Sequence, residues 1–422
     1  MTKNSLPATS YQLQAIIIGG GPAGIMAAIR AAENGAAVTL YEKNSALGRK
    51  LRITGKGRCN LTNAADVNEI VKNIPTNGKF LYSALKKFTA EDTVNFFSEL
   101  GLVTKVERGN RIFPASDKAA DVIDALTKRL AVLGVEVKLN SRVENILTND
   151  GKVIGVEVNK KFISADAVIL ATGGASYPAT GSTGDGFKFA KNLGHTVTKI
   201  LPALVPLEVE EDFARDLQGL SLKNVRATLK ADGKIFAEEF GEMLFTHFGV
   251  SGPIILTLSR AVAELLDEKF FVELEINLKP ALTPEQLDAR ILRDFQKFQR
   301  KSVKNALVEL LPSRLIPPIL DLSFIDEEKK VDAVTKEERR RLVENLRALP
   351  FTVTKTRPLA EAIVTSGGVD VKEVNPKTME SKIIKGLFIV GEVLDVDGYT
   401  GGFNLQAAWA TGNAAGISLT GN

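Results

Sequence analysis

The chain has 422 residues, 44% hydrophobic and 25% charged, with a formal net charge of +4 and a pI near 8.9. Those values suit a folded protein of two or three domains and exclude a disordered or low-complexity chain; the mild basicity admits an anionic partner without requiring one. One cysteine, Cys59, excludes an internal disulfide, a dithiol redox couple and a cysteine-rich metal site, and with only His195 and His247 a multi-histidine metal site is excluded as well.

Lys3 precedes an apolar run, but Arg30 and Glu33 interrupt it well short of a membrane-spanning length. The start is therefore read as neither a signal peptide nor a membrane segment, and a cytoplasmic protein is expected. The run itself reads as a short buried strand, Ala15 to Ile18, leading through Gly19-Gly20-Gly21-Pro22-Ala23-Gly24 into an Ala-rich helix that ends at Glu33. Strand, glycines and helix in that order form the context of a dinucleotide fingerprint. Gly19 makes the turn, Gly21 admits a diphosphate, and Gly24 lets helix and strand pack closely. The free N–H groups at the helix start face the phosphates. A second strand, Val38 to Tyr41, ends at Glu42, 18 residues after Gly24, where a carboxylate accepts ribose hydroxyls and disfavours a 2′-phosphate. Lys43 follows it.

The stretch Leu47 to Asn63 holds Arg49, Lys50, Arg52, Lys56 and Arg58 among three glycines. Without periodicity it reads as a loop, placed to touch the bound dinucleotide or else to lie solvated. Helices are expected over Thr89 to Leu100, opened by a Thr-x-x-Asp cap, and over Asp117 to Leu133. A strand at Val135 to Leu139 and a hairpin from Arg142 to Val158, turning at Asn149-Asp150-Gly151, follow. Ala167 to Leu170 is a further buried strand, ending in Ala171-Thr172-Gly173-Gly174 and a glycine-rich run to Gly186.

From Thr196 the pattern changes. Strands at Leu207 to Val209, Val225 to Leu229, Ile235 to Phe240 and Phe271 to Ile276 suggest an inserted β-barrel or sandwich, followed by helices capped at Thr283 and Thr335. The opening style returns at the end, where a strand to Val390 meets Gly391-Glu392, and Gly401-Gly402-Phe403 begins a last helix. This predicts an α/β, Rossmann-like dinucleotide-binding domain formed by residues 1–195 and 356–422 and split by an inserted unit at residues 196–355.

The second glycine-rich helix start selects the dinucleotide. Its positive end suits the N1/C2 carbonyl side of a flavin, and Glu392 suits the ribityl chain. With no second fingerprint for a resident nicotinamide, FAD is the expected cofactor, and NADH or NADPH a transient electron donor.

The sequence resembles the bacterial NAD(P)/FAD-dependent oxidoreductase family, whose members include a ribosomal RNA dihydrouridine synthase, a bile-acid enone reductase and an aminoacetone oxidase. The resemblance runs through GGGPAG (19–24), GRKLRITGKGRCNLTN (48–63), RIFPASDKA (111–119), ATGGASYPATGSTGDG (171–186), LFTHFGVSGP (244–253), TSGGV (365–369) and GEVLDVDGYTGGFNLQAAWATG (391–412). It implies an α/β, Rossmann-like FAD-binding domain of the glutathione-reductase type, split by an inserted β-barrel and a small helical unit, with FAD contacts at Gly21, Ala23, Glu42, Arg49, Lys50, Val143, Ala171, Gly391, Glu392, Asn404 and Leu405. Two of the named activities deliver a hydride from flavin N5 to the β carbon of an enone or uracil ring and a proton to the α carbon, which requires a donor. Cys59 is one candidate, its pKa lowered by the surrounding cations, unless it is a buried residue packed by the cofactor. His247 is the other, unless it is structural; His195 reads as structural. Tyr177 and Tyr399 flank glycine turns near the flavin.

The expected activity is NAD(P)H-driven reduction of an activated C=C bond, with uridine of large-subunit ribosomal RNA the favoured substrate and salt-sensitive RNA binding its corollary. A small-molecule enone reductase or amine oxidase is the alternative; a redox-sensing flavin module without turnover is a third.

Overall fold

The computed structural model describes residues 12–420. The stretch containing Lys3, and the outermost ends of the expected domains, lie outside the described residues. The chain forms two compact units, one of residues 12–200 with 364–420 and one of residues 201–363.

In the first unit a sheet of five parallel strands is built mainly from apolar runs too short for helices; four are largely buried, and the edge strand Glu136–Lys138 exposes its two charged residues. Gln14–Ile18 (β1) is central, hydrogen-bonded to Ala37–Tyr41 (β2) on one side and Ala167–Leu170 on the other. Glu136–Lys138 and Leu387–Ile389 form the two edges. In chain order the strands are arranged 3-2-1-4-5, the doubly wound order whose ligand crevice lies at the carboxyl ends where the direction of winding reverses. That switch point is the gap between Ile18 and Leu170. The helix Pro22–Glu33 (α1) follows β1 at once.

The C-terminal strand and helix complete this unit, as the sequence implies. The last helix, Phe403–Ser418, is buried along most of its length and lies against α1 through small residues: a Cβ on Gly412 would stand 2.3 Å from the Ala23 carbonyl oxygen, and one on Gly416 would stand 2.6 Å from that of Ala27. Gln406 satisfies its buried amide by accepting from the Thr62 and Thr93 hydroxyls and donating to the Phe88 carbonyl. Trp409 Nε1 donates to the Leu61 carbonyl. The Val143–Asn149 and Lys152–Val158 hairpin turns at Asp150-Gly151, both left-handed, and gains a third strand, Lys161–Ser164.

Two parts of this unit differ from the sequence reading. The stretch expected to be a loop after β2 contains a helical segment, Arg49–Gly57 (α2), regular only to Ile53. Thr54 is extended, and Gly55 and Lys56 are left-handed at φ 57° and 59°. Five consecutive residues of good helix propensity were masked by the glycines that follow them. A three-stranded antiparallel sheet of Thr62–Asn63, Arg111–Pro114 and Thr104–Glu107 carried no alternation strong enough to be seen.

The second unit is a closed, antiparallel six-stranded barrel. Around it run Leu207–Val209, Gly249–Ser251, Lys234–Thr246, Ser221–Ala231, Val272–Asn277 and Leu349–Thr356. The last is not expected from the sequence, because it contains Pro350. That proline sits at the second position of the strand, where a missing donor is tolerated. Helix Pro253–Asp267 begins at Gly252-Pro253, and capping boxes at Thr283 and Thr335 open Pro284–Lys297 and Lys336–Arg347. No helix among the described residues is long and apolar enough to cross a membrane.

Candidate functional site

The site forms in the first unit, where β1 ends. Gly19 N–H donates to the Tyr41 carbonyl and Ala171 N–H to the Ile18 carbonyl, which fixes both glycine-rich ends at the switch point. Gly24 must lack a side chain because a Cβ there would meet the Gly19 carbonyl oxygen at 2.0 Å. Gly21 is different: a Cβ there would meet no protein atom within 4 Å. The space before α1 is open, and α1 has neither a side-chain cap nor an acid in its first turn, so the free N–H groups of Ala23 and Gly24 await an external acceptor. Pro22 at the first helical position has no N–H to leave unsatisfied.

Glu42, at the end of β2, is buried. Its carboxylate accepts from Gly20 N–H at 2.8 Å, from Asn44 N–H at 2.8 Å and from Asn44 Nδ2 at 2.7 Å. Arg49 donates to Asn44 Oδ1 at 2.9 Å. The acid is thus oriented by the fingerprint itself, and Asn44, which no sequence signal marked, links it to α2.

At the tail, Gly391 lies against the Ala23 side chain, and its N–H donates to Thr411 Oγ1. Glu392 forms an ion pair with Lys50 at 2.8 Å, and both bond the Ser176 hydroxyl. Thr365 N–H donates to Glu392 Oε1 at 2.9 Å, while Thr365 Oγ1 accepts from the amides of Ala175 and Ser176. The sequence reading quoted TSGGV without giving Thr365 a task; it joins three distant segments.

Gly402, at φ 101°, lies so close to Thr62 that a Cβ would meet its carbonyl carbon at 2.5 Å. Asn404 bonds the Gly398 amide and carbonyl, and the helix starting at Phe403 has no side-chain cap, leaving the amides of Asn404 and Leu405 directed outward. Gly412 and Gly416 match Ala23 and Ala27 in the same direction, so the two helices run parallel. At 1.5 Å per residue, Phe403 begins about 12 Å ahead of the α1 start. Two uncapped helix N-termini so offset suit a ligand with a diphosphate at one end and an electron-rich ring at the other.

Buried polar atoms without partners mark the same region. Thr172 Oγ1, beyond Ala171, and Asn60 Oδ1, beside the turn at Gly55, find no protein partner. The open cradle at Gly21, the uncapped helix starts and these atoms fit FAD.

Several of the expected residues also hold protein partners. Lys43 donates to Thr183 Oγ1 at 2.6 Å and to Asp185 at 2.8 Å, and Arg142 also pairs with Asp185. Burial pushes the Asp185 carboxyl up, but Lys43, Arg142 and Thr183 outweigh it and hold the group below the usual carboxylate range. Val143 is buried in its hairpin opposite Val158. Arg58 pairs with Glu107 and Asp117 and stacks on Phe113, 4.1 Å from the ring centroid. Gly173 is left-handed at the mouth of its loop.

The reading of Cys59 as a proton donor with a lowered pKa is corrected. Its side chain is fully buried, and burial pushes the thiol up to about 12. The basic side chains of its stretch project away from it, so desolvation decides. His195 is buried between Glu373 and Ser381, bonded through both ring nitrogens. His247 belongs to the barrel unit, exposed at the turn between Lys234–Thr246 and Gly249–Ser251 with its ring edge-on to Phe248. Tyr177, left-handed at φ 50°, and Tyr399 are half-buried.

A family model described as HI0933-like protein Rossmann domain matches residues 13–418. The 3-dehydro-bile acid delta(4,6)-reductase of Clostridium scindens is 36% identical, covering 95% of this chain and 97% of that protein. The ribosomal RNA dihydrouridine synthase of Haemophilus influenzae is 32% identical, covering 96% and 98%. Among solved structures, the 3-ketosteroid-delta4-(5alpha)-dehydrogenase of Rhodococcus jostii RHA1 shares the fold at a TM-score of 0.52 and 16% identity, covering 99% of each chain.

Proposed function

Because the chain belongs to the HI0933-like Rossmann-domain family and is an FAD-dependent oxidoreductase, we propose that it reduces a C=C bond conjugated to a carbonyl, using NADH or NADPH as electron donor. The observation that carries this reading is that relatives covering nearly the whole chain are named for reducing two such bonds, in a 3-oxo bile acid and in the uracil ring. Bound FAD would supply the hydride. The chain's own residues hold the diphosphate at Gly21 to Gly24, the adenosine ribose at Glu42, the ribityl chain at Glu392 and the ring carbonyls at the amides of Asn404 and Leu405. For the proton we propose His247, on its exposure and the capacity of an imidazole to donate.

Uridine in large-subunit ribosomal RNA is the favoured substrate, supported by the RNA-directed relative and by the exposed cations of α2. Nucleoside mass spectrometry of ribosomal RNA from a deletion strain tests it: dihydrouridine should disappear and return on complementation. An unchanged dihydrouridine content would refute the RNA substrate. The 36% identical reductase favours a second reading, a free enone, which anaerobic turnover of a 3-oxo-Δ4 steroid with NAD(P)H and no RNA would reveal.

A further inference from the structure

The positive charge of the chain is concentrated on one surface. Leaving aside Arg49 and Lys50, which face the cofactor site, residues 52–60 and 104–118 together hold seven lysines and arginines and only two acids, a net +5 against +4 for the whole chain, which leaves −1 for everything else. The two segments adjoin in space. Thr62–Asn63 pairs with Arg111–Pro114, Leu61 N–H donates to the Ile112 carbonyl, and Gly55 abuts the Phe113 ring, on which the Arg58 and Arg111 guanidiniums also sit at 4.1 and 5.8 Å.

The two acids are already matched. Glu107 pairs with Arg58, and Asp117 pairs with Lys105 and Arg58. Arg52, Lys56, Arg108 and Lys118 are exposed and form no ion pair among the described residues. Lys56 stands out further: it is left-handed at φ 59° between left-handed Gly55 and Gly57, an unfavourable backbone for a lysine that raises it at the apex of the turn. A resident FAD carries only two phosphates, and the open α1 start receives them, so it does not account for this excess.

We infer that this surface docks the phosphate backbone of single-stranded RNA, with Arg52, Lys56, Arg108 and Lys118 as phosphate contacts. Such backbone contacts are sequence-independent and position the strand, leaving base selection to the pocket. The groove beyond is lined by Leu102, Ser116, Asp121, Asp124 and Lys128 and lacks the excess of cations found on this surface. The inference rests on the ribosomal RNA reading of the substrate, but its test measures affinity rather than turnover.

The test uses FAD-loaded full-length protein and a labelled single-stranded oligouridylate, titrated across a series of salt concentrations. Each phosphate contact adds about 0.7 to the slope of log K against log salt for single strands. The variant R52Q/K56Q/R108Q/K118Q should therefore lower that slope by about 3 and weaken binding about tenfold or more near 0.1 M salt. FAD content, reduction by NAD(P)H and turnover of any free enone should be unchanged. An unchanged slope in the variant, or wild-type binding indifferent to salt, overturns the inference. So does tighter binding to phosphatidylserine-containing vesicles than to RNA, which would make the surface a membrane contact. If the deletion strain keeps its dihydrouridine, the substrate reading falls while the binding curves still decide the surface; if the strain loses it and the slope does not change, only the surface is wrong.

Discussion

Gly21 and Gly24 belong to one fingerprint, yet replacing each by alanine should have opposite consequences. At Gly24 the added Cβ would face the Gly19 carbonyl oxygen at 2.0 Å and the Ala171 side chain at 3.1 Å. A backbone oxygen fixed in a turn cannot retreat, so G24A should fall near the top of the overpacking range, about 3 kcal/mol of stability, or about a hundredfold in the folding constant. At Gly21 the Cβ enters open space, and the backbone at φ −85°, ψ −178° suits any residue. Loss of unfolded-state entropy stabilises G21A by about 0.4–1 kcal/mol. Alanine's poorer capping at this helix start removes a comparable amount, about 0.5–1 kcal/mol. Apo G21A should thus denature within about 1 kcal/mol of wild type. Its methyl group, however, occupies the space where the diphosphate approaches, and FAD affinity should drop at least about tenfold, or 1.4 kcal/mol. Denaturant melts of both apoproteins, followed by flavin fluorescence titration, separate the effects. G21A binding FAD as wild type does, or unfolding as easily as G24A, would refute the assignment of the cradle.

Cys59 should resist iodoacetamide in the native protein at pH 8, because a thiol with a pKa of about 12 is ionised there in about one molecule in ten thousand and is buried. Labelling only after denaturation, and turnover of C59A within about twofold of wild type, would agree with a packing role. Asp185, held below its ordinary 3.8, contributes stability that is complete above that value and is lost as pH falls through its folded pKa. Acid melts from pH about 5 to 3 should therefore destabilise wild type more steeply than D185N, and parallel curves would remove the Lys43–Asp185 pair from the account. If His247 supplies the proton, H247Q should lower turnover by about 10² or more while reduction of the flavin by NAD(P)H proceeds at its usual rate. Equal loss in both half-reactions would point to a structural role instead.

What the sequence made legible was local and periodic: the strand–glycine–helix opening, the acid ending β2, the capping boxes at Thr89, Thr283 and Thr335, and the alternating strands of the barrel. Each depends on residues a few positions apart, where backbone physics dominates. The unseen parts depend on distant neighbours. Lys50 and Glu392 are 342 residues apart, and nothing in either segment announces the other. Thr365 gains its meaning only when Gly174 leaves room for its hydroxyl.

Cys59 and the cations around it show why composition misleads at such a site. A basic stretch lowers a thiol pKa only when its charges face the sulfur; here Arg58 turns to Glu107 and Lys50 to Glu392. The sulfur is left among apolar neighbours, where the neutral form is favoured. The same outward turn that disqualifies Cys59 as an acid is what leaves Arg52 and Lys56 exposed. A stretch that cannot provide the proton is therefore well arranged to hold a polyanion, and the proton must come from a group that stays exposed. His195 is excluded by its bonds to Glu373 and Ser381, which leaves His247 as the histidine to substitute first.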